Sequence, residues 1–542
     1  MAITNTLSAG ATTPGPAARP TVAARRTLQR ALQRVEHTFD FAFGAHANPW
    51  RHLGAVSFFL FWIAAATGIY VYAAFDTSVA GAYASVERIT HDAWPLSGLA
   101  RSLHRYASDA FVVVVLLHLA REWINGHIAG FRWFSWLSGV PLLWLLYASG
   151  IGGYWLVWDR LAQFSLIATT EWLDWLPFFG EPLARNFITG GSVSDRLFSL
   201  LIFLHIGIPL TLLLGMWVHI QRISRPRTHP PRAIALGLLA ALIVLGLATP
   251  ALSDAPADLA AVPVVLDLDW IYLAIHPLLY SSSAATLWAL AGGATLLLAL
   301  LPWLPPLARP PVARVDLANC NGCGRCFDDC PYAAVTMQPR TDGKPLPRQA
   351  VVDPDLCAAC GICAGACPSS TPFRGVVDLV TGIDMAQQPV HAMRRELERA
   401  IVALRGETKI VAFGCDCAAN VDALRAPDTA ALSLICTGML PPSFVEYALR
   451  RGADGVLITG CRDGDCAYRL GNRWTEERMQ AEREPHLRAT VPAERVRITW
   501  RGPFDGKALR TEIDLFRAAL RGLPAWTRNG LRSPKRKQAA HG

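Results

Sequence analysis

Four histidines fall into two pairs with one interval. His104 and His118 are fourteen residues apart, and so are His205 and His219. The stretches that hold them, "HRYASDAFVVVVLLH" and "HIGIPLTLLLGMWVH", are almost wholly apolar between the rings. Fourteen residues make close to four helical turns, so both rings of a pair face one way, about 21 Å apart. An imidazole inside a membrane span is costly and marks function more often than packing. An interhelical hydrogen bond would account for one such histidine, but poorly for four in equal pairs. Two helices set face to face make two stacked sites, each with a neutral imidazole from either side. That is the usual axial ligation of haem iron. Glycines repeat the interval on neighbouring segments, as Gly54 with Gly68 and Gly139 with Gly153. A flat macrocycle needs such small neighbours, although one glycine pair alone would read as ordinary close packing. Arg101 and Arg121 flank the second apolar segment and are candidates to pair with haem propionates.

A second chemistry lies downstream. All 13 cysteines follow residue 319. An odd number in tight clusters reads as metal or cluster ligation in a reducing compartment, not as a secreted disulfide framework. "CNGCGRCFDDCP" supplies Cys320, Cys323, Cys326 and Cys330, and "CAACGICAGACP" supplies Cys357, Cys360, Cys363 and Cys367. Each run has the spacing of two-cluster ferredoxins, in which the fourth cysteine serves the other cluster. One [4Fe–4S] cluster is therefore expected on Cys320, Cys323, Cys326 and Cys367. The other is expected on Cys330, Cys357, Cys360 and Cys363. Structural zinc rarely uses this double run. Five further cysteines follow: Cys415, Cys417, Cys436, Cys461 and Cys466.

The elements that must position these residues differ along the chain. Of 542 residues, 52% are hydrophobic and 17% charged, an apolar excess concentrated between residues 52 and 303. Six segments there approach the ~20 residues of a membrane span: 52–74, 105–124, 133–157, 197–221, 232–250 and 281–303. Six arginines precede the first span, and Arg222, Arg225, Arg227 and Arg232 follow the fourth. The 251–269 connection has four aspartates and no Lys or Arg. Positive-inside counting places both termini, and the cysteines, in the cytoplasm of a bacterial inner membrane. His104 and His205 then lie near the outer face, and His118 and His219 near the cytoplasmic face. Residues 1–20 have no apolar run, so the first span is expected to direct insertion itself. The net charge of +9 follows from this topology and does not require nucleic acid. Residues 408–520 alternate strands ("KIVAFGC", "ALSLIC", "GVLITGC") with helical stretches, as an α/β domain does.

Residues 50–305 resemble the N-terminal part of the cytochrome b of quinol–cytochrome c oxidoreductases and their plastid relatives, through "RSLHRYASDA", "GGYWLVWDRLAQFSL" and "HIGIPL". The resemblance implies two b haems and quinone near each membrane face. The family's outer motif Pro-Glu-Trp-Tyr is at best "LDLDWIYL" here, with Asp269 and Trp270, and the family's last two spans are missing. An outer site that bifurcates electrons to a Rieske protein is not expected. With no cysteine in the membrane part, neither is an extra covalent haem. Residues 408–500, through "GADGVLITGCRDGDCAYRLGN", resemble the delta subunit of hydrogenases that feed heterodisulfide reductase. That resemblance implies one [2Fe–2S] cluster and electron exchange with a flavoprotein. Its ligands are expected to be Cys415, Cys436, Cys461 and Cys466. The family's first pair is spaced C-x2-C and here it is C-x-C, so Cys417 competes with Cys415. Zinc or a reactive dithiol is the alternative at this site. The Cys-Cys-Gly motifs of disulfide reduction are absent from the sequence.

The expected architecture is multidomain. A leader (1–50) precedes an all-α transmembrane four-helix di-haem bundle with two further spans (51–305). An α+β two-cluster ferredoxin (306–380), a small α/β iron–sulfur domain (381–526) and a basic tail (527–542) follow. The expected activity is an oxidoreductase subunit linking a cytoplasmic dehydrogenase or flavoprotein to membrane quinone, within a homo- or hetero-oligomer. The expected electron order is [2Fe–2S], the two [4Fe–4S] clusters, then the inner haem. No Gly-x-Gly-x-x-Gly turn follows a strand, so substrate dehydrogenation is expected of a partner. Reverse flow, from quinol to a low-potential acceptor, is the first alternative. A haem- and cluster-bearing sensor or scaffold is the second.

Overall fold

The computed structural model describes residues 19–44, 47–92, 95–128, 130–177, 193–224, 226–262, 265–304, 311–376 and 379–524. The basic tail, the start of the leader and most of the proline-rich exit at 301–311 lie outside the described residues.

Among the described residues ten helices come first: α1 (Arg19–Phe43), α2 (Leu53–Ala74), α3 (Ala82–His91), α4 (Leu96–Asn125), α5 (Trp133–Val157), α6 (Arg160–Asp174), α7 (Asp195–His219), α8 (Arg232–Ala248), α9 (Ile275–Ser281) and α10 (Ala284–Leu300). Helices α2, α5, α7 and α10 are apolar on all sides, as a helix that meets lipid must be. The spans Pro49–Ala74, Gly130–Val157, Asp195–His219 and Ala284–Trp303 are long and apolar enough to cross a membrane. Helix α4 has 30 residues but carries Arg101, Arg105, Asp109, Arg121 and Glu122. Helix α8 is short, with 17 residues. The ends are set locally. Gly126 closes α4 in the left-handed region at φ 75°. Asp159 starts α6 by accepting from the Ala162 N–H at 2.8 Å. The two dominant helix pairs are α2 with α4 and α5 with α7.

The ferredoxin part pairs β1 (Ala313–Val315) with β4 (Ile383–Met385), and β2 (Val335–Pro339) with β3 (Arg348–Val352), both antiparallel. Short helices α11 (Arg325–Asp328) and α12 (Ile362–Ala366) follow the two cysteine loops. The 380/381 boundary expected from sequence is therefore too early, because residues 383–385 supply the strand that closes β1. No hydrophobic alternation could mark so short a strand.

The last domain is a parallel sheet of order β6-β5-β7-β8, with β5 (Ile410–Cys415), β6 (Thr429–Leu434), β7 (Gly455–Gly460) and β8 (Val496–Trp500). Helices α13 (Val390–Ala403), α14 (Pro442–Arg450), α15 (Gly471–Met479) and α16 (Gly506–Arg521) flank it. Strands β5 and β7 are buried at every position, as a sheet covered on both faces requires.

The soluble domains sit against the helix ends through an ionic junction. Arg121, at the end of α4, faces Glu36 of α1 at 3.0 Å and also Asp465 of the last domain. Arg51 pairs with Asp40 at 2.7 Å and donates to the Asp463 carbonyl. Arg132 donates to the Ala467 carbonyl. Arg469 reaches back to the carbonyls of Ser224 (2.8 Å) and Pro331 (3.1 Å). Removing one partner of a buried ion pair typically costs about 3–5 kcal/mol, because the other charge is stranded. Glu36→Ala is thus expected to lower the melting temperature and to release the cysteine-rich part in limited proteolysis. An unchanged melt and digestion pattern would show that the junction rests elsewhere.

Candidate functional site

The histidines meet as the spacing requires. The rings of His104 and His205 stand 6.1 Å apart, centroid to centroid, at 78° to one another. Two metal–imidazole bonds of about 2 Å plus the ring radii fill such a gap. His118 and His219 form the second pair, within electrostatic reach of each other. The Nδ1 atoms are taken: His104 by the Ala64 carbonyl at 2.8 Å, His205 by the Ser149 carbonyl at 3.0 Å, His219 by the Ser138 hydroxyl at 3.0 Å. A ring held at Nδ1 presents Nε2 to a metal.

The glycines do something more specific than make room. A Cβ on Gly68 would stand 2.7 Å from His104, and one on Gly153 would stand 3.0 Å from His205. At Gly139 it would meet His219 at 3.2 Å, and at Gly54 it would meet His118 at 3.6 Å. Each glycine lets one ring lie against helix backbone. For two of them the accepting carbonyl, Ala64 or Ser149, is four residues earlier on the same helix.

Arg101 and Arg121, expected from sequence beside propionates, have protein partners. Arg101 reaches Thr90, Ser253 at 2.8 Å and Glu87 at 3.7 Å. Arg121 holds the junction described above. Asp269 bonds Arg105 and Tyr154, whereas Trp270 is exposed.

The eight ferredoxin-type cysteines sort into two cavities. One is lined by Cys320, Cys323, Cys326 and Cys367. The other is lined by Cys330, Cys357, Cys360 and Cys363. The fourth cysteine of each run thus crosses to the other cavity. Gly324 (φ 81°) and Gly361 (φ 75°) put matching left-handed turns between the second and third cysteines of each run. The Ala334 N–H donates to the Cys330 sulfur at 3.3 Å. Burial pushes the Cys326 thiol up to about 12, and raises Cys360 and Cys363 further. Buried thiols become thiolates only with a cationic partner, so the four-cysteine donor sets suit iron–sulfur clusters.

The remaining five cysteines converge at the carboxyl ends of the parallel strands, where open α/β sheets place their sites. Cys415 ends β5, Cys436 follows β6, and Cys461 follows β7. The Cys415 and Cys461 sulfurs are 3.9 Å apart. Cys466 contacts Cys436 and Cys461, and Cys417 contacts Cys415. A Cβ on Gly471 would run into the Cys436 sulfur, so only glycine suits the start of α15.

The three cysteine sites form a row. Cys360 and Cys436 pack in one cluster with Ile362, Leu470 and Trp474. Asp329, beside Cys330, is gripped by Arg478, by Arg483 at 2.6 Å and by the Trp474 indole at 3.1 Å. The five-cysteine site lies against the membrane helices, because Asp465, next to Cys466, holds Arg121. That arginine is three residues, about 4.5 Å of helix rise, beyond His118. Phe131 bridges to Tyr332 of the second cavity, with ring centroids 4.5 Å apart. The expected order put only the ferredoxin part beside the inner haem, whereas both the second cavity and the five-cysteine site meet helix ends, the former through the Ser224 hydroxyl, which donates to the Cys330 carbonyl at 2.9 Å. Sequence reasoning also missed Glu36, Asp465, Arg132, Arg469 and Arg478. The available signal was the acidic spacing in "GCRDGDC", opposite arginines that topology alone explains.

Comparisons with known proteins agree with the three parts. The profile described as Cytochrome b/b6/petB matches residues 39–226. Cytochrome b6 of Porphyra purpurea is 30% identical over 190 residues, which covers 34% of this chain and 86% of the relative. The chain belongs to the cytochrome b family. In this cytochrome b, a 4Fe-4S dicluster domain profile matches residues 319–371. A profile for the delta subunit of methyl-viologen-reducing hydrogenase matches residues 409–524. A solved structure described as hyperthermophilic respiratory Complex III covers 51% of this cytochrome b and 82% of its own chain, at 20% identity and a TM-score of 0.40. As a cytochrome b fused to a dicluster domain, the chain is a multi-pass membrane electron-transfer protein carrying haem b and iron–sulfur clusters.

Two variants test the crossed cysteine sets. Cys367→Ala should remove the cluster signal of the Cys320 cavity, and Cys330→Ala that of the Cys357 cavity, each read by EPR of the reduced protein. If Cys367→Ala instead disturbs the Cys357 cavity, the sets are not crossed. Gly68→Val should lower the b-type haem content in a pyridine haemochrome assay, since its side chain would press into the His104 ring.

Proposed function

We propose that this cytochrome b carries electrons between a cytoplasmic redox partner, a dehydrogenase or flavoprotein, and membrane quinone. His104 with His205, and His118 with His219, would each hold one b haem. The two ferredoxin cavities would each hold a [4Fe–4S] cluster. Four of Cys415, Cys417, Cys436, Cys461 and Cys466 would hold a [2Fe–2S] cluster. These groups supply one-electron chemistry, and the chain's residues set their spacing, burial and hydrogen bonding. One observation supports the reading most. The five-cysteine site is fastened by Asp465 to Arg121, one turn from His118, and the Cys357 cavity meets the same helix ends through Ser224, whose hydroxyl donates to the Cys330 carbonyl at 2.9 Å. Electrons would therefore pass from the Cys320 cavity to the Cys357 cavity, and from there, with the five-cysteine site beside it, to the His118/His219 haem.

Vesicles carrying the chain, supplied with a low-potential reductant on the arginine-rich side only, should form quinol. His118→Ala and His219→Ala should each stop this and remove the same haem band, leaving the other. Retention of both haems in either variant would sink the ligand assignment. Cys461→Ser should slow haem reduction while both [4Fe–4S] signals persist. Haem reduction at the unaltered rate would place the five-cysteine site off the path. Cys415→Ser and Cys417→Ser, compared by iron content and EPR, identify the fourth ligand.

A further inference from the structure

Among the thirteen cysteines, Cys323 alone is exposed. It lines the Cys320 cavity, the end of the row farthest from the membrane helices. The loop that carries it is tied to soluble neighbours. Arg340 donates to the Cys320 carbonyl at 2.7 Å and Lys344 to the Ala318 carbonyl at 2.8 Å. Arg374 bonds Asn319 at 3.1 Å, and the carbonyl of Arg348 closes on Gly322.

The rim is basic. Lys344 and Arg348 are exposed and Arg374 is half-buried. Arg340 is balanced by Asp342 at 2.8 Å. Of the nearby acids, Asp316 caps Asn319 at 2.9 Å and Asp328 is exposed. Phe327 is the exposed apolar side chain on this loop. A permanent subunit would bury a large apolar face, whereas short-lived redox encounters are small and steered by charge.

We propose that the rim of Lys344 and Arg348 over Cys323 docks an acidic, soluble one-electron carrier, rather than a permanently attached dehydrogenase. The proposal rests on the reading that electrons enter at the cavity farthest from the membrane. One electron leaves the reduced carrier and is gained by the cluster held beside Cys323; no bond forms or breaks and no proton moves.

The test uses the full-length, cofactor-loaded chain in detergent and an acidic two-iron ferredoxin as probe. Its oxidised form should bind with a Kd that weakens at least about tenfold as ionic strength rises from about 0.05 to about 0.5 M. The double variant Lys344→Glu/Arg348→Glu should weaken binding about tenfold and slow reduction by reduced ferredoxin, with haem and iron contents unchanged. Lys507→Glu/Arg510→Glu, on α16, should leave binding unchanged. A Kd indifferent to salt or to the first double variant overturns the proposal, as does a Kd weakened by the second. Reduction by photoreduced deazaflavin, which needs no docking, separates the two readings. If those electrons do not reach the haems, the proposed path fails whatever the binding result.

Discussion

The acidic loop between Cys461 and Cys466 meets arginines at the helix ends, and the rest of the arrangement depends on that contact. Asp465 takes Arg121, the Asp463 carbonyl takes Arg51, and the Ala467 carbonyl takes Arg132. Arginines of this kind are expected on the cytoplasmic flank of any span. Here they also hold a cysteine site against the end of the histidine-bearing helix. Burying such charges adds little net stability, and its better-attested use is to select one geometry. Glu36 completes the node from α1, so the leader helix clamps the membrane part to the soluble part.

The same economy holds at the histidines. A helical glycine costs about 1 kcal/mol relative to alanine, and at Gly68, Gly139 and Gly153 a methyl group would press on a ring. Backbone carbonyls then orient His104 and His205 without a dedicated side chain, and His219 uses the Ser138 hydroxyl. The α2/α4 and α5/α7 pairs solve one problem twice in the same way. The repeated interval in the sequence is the trace of that solution.

Chain order and spatial order differ. Along the sequence the histidines come first, then the ferredoxin-type cysteines, then the five-cysteine domain. In space the last domain folds back to lie beside the membrane helices, and the first ferredoxin cavity is left outermost. The buried Arg478 and Asp329 fix this reversal by joining α15 to the turn before Cys330.

Much of the site was legible from spacing alone, because spacing encodes local geometry. Fourteen residues fix which helix face His104 and His118 share, and the double cysteine run fixes that Cys330 and Cys367 cross over. The strands "KIVAFGC" and "GVLITGC" announced an α/β domain, and the structure makes it a parallel sheet whose carboxyl ends gather Cys415 and Cys461. Other features depend on contacts between residues hundreds of positions apart, and no local pattern carries those. Arg121 read equally well as a propionate partner or a topology marker, and only its position against Glu36 and Asp465 revealed the junction. Residues 383–385 were too few to read as a strand until Ala313–Val315 lay beside them. The sequence by itself determined which side chains could hold metal and in what local sets. Only the tertiary structure decided the order in which those sets stand, because that order is fixed by long-range ion pairs and packing rather than by periodicity.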